Sequence, residues 1–134
     1  CDAVGQLDID ELIVVEAGPR KEADRVYFGA WVTIEDEDGR EGWAECVAGA
    51  VPGYTAETVD SAWHTITEHL APLVVGLEAD DPTAVIASMG GRYPDQPMAQ
   101  AAVEMAGWDL AARREGMPLT QLLGGTRTSV PAGI

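Results

Sequence analysis

At 134 residues and 46% apolar side chains, the chain has enough material for one packed domain and too little length for two large ones. Asp and Glu total 23 against 8 Lys and Arg, a formal net charge of −15 that repels phosphate backbones and anionic lipid, which excludes nucleic acid and membranes as partners. No apolar stretch approaches the roughly 20 residues that cross a bilayer, and Cys1-Asp2-Ala3-Val4-Gly5 has no basic-then-apolar leader pattern, so the expected setting is cytoplasmic.

In chain order, Glu11–Glu16 (ELIVVE) is a short apolar run with β-branched residues and reads as a strand. Ala17–Asp24, punctuated by Gly18-Pro19 and carrying the only lysine, Lys21, reads as a loop. From Val26 the even positions are apolar (Val26, Phe28, Ala30, Val32, Ile34), the period of a strand with one buried face. Asp38-Gly39 signals a hairpin, and Arg40–Val47 returns as the third strand of an antiparallel meander. After a loop over Ala48–Tyr54, Thr55 is expected to cap a helix with the stripe Val59, Ala62, Trp63, Ile66, Leu70, closed by Pro72 and Gly76. Asp81-Pro82 opens a short helix to Met89. A long helix runs from about Met98 to Arg114, stops at Gly116, and carries small residues that admit a close neighbour. Leu119–Leu123 is a last short helix, and Thr128–Ile134 starts like a strand that has nothing to pair with. The order β-β-β-α-α-α-α predicts an α+β fold, with about four helices on one face of a three-stranded sheet.

The acids are dispersed from Glu11 to Asp81 rather than clustered, which favours a solvated acidic coat, suited to a salt-rich cytoplasm, over a metal site. Cys1 and Cys46 are the only thiols and make no disulfide framework; Cys46, in a strand, reads as a buried inert thiol. His64 and His69, five apart, fall well off a common face of an α-helix, which argues against a shared metal. Asp109 is expected to tie its helix to a neighbouring backbone or arginine. Glu45 either orients a loop or is simply an exposed strand acid. Gly124-Gly125 ends a helix, and no strand-loop-helix with a lysine makes it a phosphate loop.

Three stretches together resemble one family. Residues 39–46 (GREGWAEC) are similar to the Gly-Trp-Gly-Glu hairpin of enolase-superfamily capping domains, with Ala44 in place of the usual glycine. Residues 102–125 (AVEMAGWDLAARREGMPLTQLLGG) resemble their Trp-Asp-Leu helix with its Leu-Leu-Gly-Gly ending, and residues 126–134 (TRTSVPAGI) the linker and first barrel strand. Residues 46–63 (CVAGAVPGYTAETVDSAW) are similar to o-succinylbenzoate synthases and the related N-acylamino acid racemases; muconate-cycloisomerase-like and dipeptide-epimerase-like enzymes are the alternatives.

The resemblance implies a capping domain at 1–125 and the start of a (β/α) barrel at 126–134. The implied parent enzyme abstracts a proton α to a carboxylate with the help of Mg²⁺, which stabilises the enediolate. The residues that perform this chemistry belong to the barrel, so this chain is expected to hold no catalytic residue, bind no cofactor and turn over nothing alone. Its implied partners are its own barrel, a small-molecule carboxylate and, through the uncovered docking face, further copies in a homo-oligomer. The resemblance places substrate contacts on two lid loops. Gly49, Ala50, Pro52 and Tyr54 lie in the first; Tyr54 either meets substrate or merely staples the start of the helix. Arg20 and Lys21 lie in the second, which is shorter than its counterpart and lacks the expected aromatic residues. A free-standing module that binds another protein through its apolar face is the reading from a different class.

Overall fold

The computed structural model describes residues 9–22 and 25–133, and over 14–28 it describes the backbone alone. Three antiparallel strands, β1 (Ile9–Glu22), β2 (Arg25–Asp36) and β3 (Glu41–Cys46), form one sheet in the order β1-β2-β3. The helical half comprises α1 (Val59–Thr65), a π-helical turn (Ile66–Leu70), α2 (Ala71–Val74), α3 (Pro82–Met89), α4 (Pro97–Glu115) and α5 (Leu119–Leu122).

The alternation in β2 sets the layer arrangement. Ala30, Val32 and Ile34 are fully buried, and with Ala44 and Cys46 of β3 they face the helices. Across from them α4 presents Ala99, Ala102, Val103, Ala106 and Leu110, all completely buried. The approach is closest at Gly42, where a Cβ would run into the Ala106 carbonyl and the Leu110 amide nitrogen. Only hydrogen fits there, which is why a helix lined with small residues can lie directly on the strand.

The expected loop at Ala17–Asp24 is corrected: β1 continues to Glu22, pairing Arg20 with Tyr27, Lys21 with Val26 and Glu22 with Arg25. A register shift between Ala17 and Arg20 takes up Gly18-Pro19, so the proline interrupts the ladder without ending it. Residues 23 and 24 of that segment lie outside the described residues.

The first helix begins at Thr58, not Thr55. Thr58 accepts from the Ser61 amide and Ser61 Oγ accepts from the Thr58 amide, a reciprocal box that leaves Thr55 in the loop. Pro72 does not close the helix either; helical backbone runs past it to Val74. Pro72 offers no N–H, and its ring crowds the carbonyl four residues back, so the chain widens by one residue ahead of it and the Ala71 amide donates to the Ile66 carbonyl. Gly76, at φ 86°, completes the exit. The long helix stops at Gly116 (φ 63°), as its sequence predicts.

The tail is the last correction. Residues 126–133 are exposed and belong to no strand, because no neighbouring strand among the described residues offers them a ladder. Ile134 lies outside the described residues.

Candidate functional site

The site grows from the segment that joins β3 to α1. Its base is closed on both sides. Gly49 bridges Thr58 in parallel fashion, and the Val59 amide donates to the Gly49 carbonyl at 2.8 Å. On the helical side Glu57, only 2% exposed, accepts from the backbone amides of Met98 and Ala99, both at 2.8 Å. Those amides open α4, where Pro97 occupies the first turn and Gln96 supplies no side-chain cap. A carboxylate from 41 residues away therefore satisfies the orphaned donors, favoured by the positive end of the helix dipole.

Between these anchors the loop stands out from the body. Gly49, Ala50, Pro52 and Tyr54, the four expected contacts of the first lid, are all exposed. Tyr54 is 100% exposed and so does not staple the helix; the helix starts four residues later, which leaves this ring on the loop. Gly49 and Tyr54 share a cleft of about 240 Å³ with Val47, Val51, Gly53, Thr55, Glu57 and Met98, whereas Ala50 and Pro52 lie outside its lining. Of this lining, sequence reasoning singled out only Gly49 and Tyr54 as site residues and missed the rest, Glu57 and Met98 among them. The legible signal for Glu57 was α4's proline-led start without a capping side chain, which demands an acceptor from elsewhere.

The second expected lid has changed character. Arg20 and Lys21 sit on β1 opposite Tyr27 and Val26, and their side chains lie outside the described residues. Asp109 does what its position in Trp-Asp-Leu suggests: its Oδ2 accepts from the Trp43 amide at 2.9 Å and from Arg113 Nε at 2.7 Å, fixing α4 to β3. Glu45 is exposed.

A second anchor, unforeseen from the sequence, is Asp36 at the turn after β2. It is 1% exposed and accepts from the Arg40 and Asp38 amides and from Arg114 of α4 at 2.7 Å. Burial pushes its carboxyl upward, but the Arg40 amide, the Arg114 guanidinium and the Asp38 amide outweigh it and hold the pKa below the ordinary value. Cys46 is buried, and burial, with the Glu57 and Glu45 carboxylates, raises its thiol against the lowering bond from the Ala48 backbone, which leaves it unreactive.

His64 and His69 depart from expectation. The π-turn between them brings their rings to 5.4 Å between centroids, edge to face, and His69 stacks on Tyr93 at 5.5 Å. Among the described residues no group of three or more His, Cys, Asp or Glu side chains is arranged to hold a metal, and no helix is long and apolar enough to cross a membrane.

A sheet whose hairpin meets a Trp-Asp-Leu helix, with a closed-base loop beside it, defines a class of capping domain. The chain belongs to the mandelate racemase / muconate lactonizing enzyme N-terminal domain family, whose profile matches residues 20–124, within the enolase superfamily. It is 41% identical over 99 residues to the o-succinylbenzoate synthase of Bacillus subtilis (strain 168), covering 74% of this chain and 26% of that protein. It is 38% identical over 97 residues to the N-succinylamino acid racemase of Thermus thermophilus, covering 72% and 26%. Among solved structures, 2-chloromuconate cycloisomerase from Rhodococcus opacus 1CP superposes with a TM-score of 0.81 at 30% identity, over 92% of this chain and 34% of that one. The chain thus spans about a quarter of the length of the curated relatives it matches.

Proposed function

We propose that this domain caps and tunes the substrate pocket of a metal-dependent enzyme that removes a proton α to a carboxylate, with o-succinylbenzoate synthase or N-acylamino acid racemase chemistry. The observation that carries it is the loop over 49–57: anchored at both ends, exposed at its crown, and tipped by a fully exposed tyrosine beside a cleft. The crown of the loop, residues 50–54, spends no side chains on its own domain and is free to meet a surface opposite it. The similarity to the Bacillus synthase and the Thermus racemase supports the choice of chemistry.

Within this reading, 1–125 is the cap and 126–134 the lead into the first barrel strand, which gains a ladder when the barrel supplies its neighbours. Leu123 and Val130, 58% and 80% exposed, flank a shallow cleft of about 490 Å³ that such a body would cover. The donor set of the described residues does not suit Mg²⁺, which needs converging oxygen ligands, so the metal is assigned to the barrel. The domain's own contribution is to position the substrate and exclude water around a charge-developing reaction.

The test is to join this domain to a barrel of the family and assay it with Mg²⁺ and the o-succinylbenzoate precursor or an N-succinylamino acid. Tyr54→Ala is expected to raise KM about ten-fold or more, with a smaller change in kcat, as befits a binding contact. Turnover by the 134-residue chain alone, or a Tyr54→Ala enzyme with unchanged KM on every such substrate, would overturn the proposal.

A further inference from the structure

We propose that His64 and His69 form a two-imidazole chelate for a borderline divalent cation of the Zn²⁺ class, on the outer face of the first helical segment and apart from the lid loop. Five residues of regular α-helix would turn the two side chains about 140° away from each other. The π-turn over Ile66–Leu70 reduces that offset, and the ring centroids stand 5.4 Å apart, edge to face. Metal–nitrogen bonds of about 2.0–2.1 Å to both rings, at a near-tetrahedral angle, place ring centres roughly 5 Å apart. The two ring centroids thus already have the separation that a shared ion requires, and the unstacked His64 ring, now at 88° to His69, turns about its side-chain bonds to bring a nitrogen to the ion.

Three further observations favour an ion here. Both histidines are exposed, so a ring nitrogen of each is free to take a metal without leaving a core. Tyr93 stacks on His69 at 25° between planes, and this fixes one ligand ring before any ion arrives. The net charge of −15 enriches cations at the surface. No third His, Cys, Asp or Glu among the described residues completes a closed cage. The remaining positions fall to water, which makes the site labile rather than structural.

The chain contains only two histidines, so their imidazole proton signals report the site directly. The experiment titrates ZnCl₂ into the 134-residue chain carrying Cys1→Ser, which removes a competing thiol, and follows calorimetry alongside the imidazole resonances. Both resonances are expected to shift together and to saturate at one equivalent. His64→Ala and His69→Ala should each weaken binding about ten-fold or more. Pro72→Ala, which gives the helix back its missing donor, should weaken binding although both imidazoles remain. Equal affinity in the two histidine variants and the parent chain, or a shift of one imidazole without the other, would overturn the chelate and leave only diffuse attraction to the acidic surface.

Discussion

At Gly42 a single hydrogen decides how near the longest helix lies to the sheet. Gly42→Ala would place a methyl against the Ala106 carbonyl and the Leu110 backbone, neither of which is the end of a flexible side chain. Such overpacking should cost about 1–3 kcal/mol or more, seen as a lower urea midpoint at unchanged slope. Asp36 carries a different kind of dependence. Because its folded pKa lies below its unfolded one, its stabilisation is complete above about pH 4 and is lost as pH falls through the folded value. Thermal melts from pH 7 down to 2 should therefore show a steep acid loss in the parent chain and a shallower one in Asp36→Asn. Asp36→Ala should cost about 3–5 kcal/mol, because it strands the nearly buried Arg114, whose Nε already lacks a partner. The hairpin signal in the sequence lies at Asp38-Gly39 and does not single out Asp36; its bond to a residue 78 positions on follows from tertiary packing, which no local pattern encodes.

Among the elements, regular periodicity was legible and irregular backbone was not. The alternation through β2 correctly named Ala30, Val32 and Ile34 as the inward face, and Gly116 correctly marked the end of α4. Gly18-Pro19 misled because a bulge and a loop share the same composition, and only strand pairing separates them. Pro72 misled because a widened helical turn accommodates a proline that a strict α-helix would reject. The exposed crown of the β3–α1 loop follows from its Gly- and Pro-rich sequence, but its anchor does not, since Glu57 caps a helix that begins 40 residues after it in the chain. Glu57→Gln presents an amide to two N–H donors that need acceptors, and the loss should be about 1–3 kcal/mol. Hydrogen exchange checks it: the Met98 and Ala99 amides should lose protection ahead of those deeper in α4.

Across the whole molecule, charge and apolar surface pull in opposite directions. Asp36 and Glu57 are the buried acids among the residues whose side chains are described, so the other acids of that set lie at least partly open to solvent and repel one another. Salt shortens the reach of that repulsion from about 10 Å at 0.1 M to about 3 Å at 1 M. The melting temperature is expected to climb between those concentrations, and a flat profile would count against an electrostatically strained surface. Val51, Tyr54, Leu123 and Val130 meanwhile leave apolar area bare at the loop crown and the tail. Analytical ultracentrifugation at high salt, where like charges no longer hold copies apart, is where self-association should first be seen.

The doubly anchored base of the β3–α1 loop has a consequence for how such domains diversify. Closure at Gly49–Thr58 and at Glu57 means the crown can be rewritten or lengthened while the scaffold beneath keeps its bonds. Doubling the length of a closed loop adds only about 0.6 kcal/mol of closure entropy. Crown sequences can therefore vary almost independently of folding, as a tool holder accepts new bits without being recast.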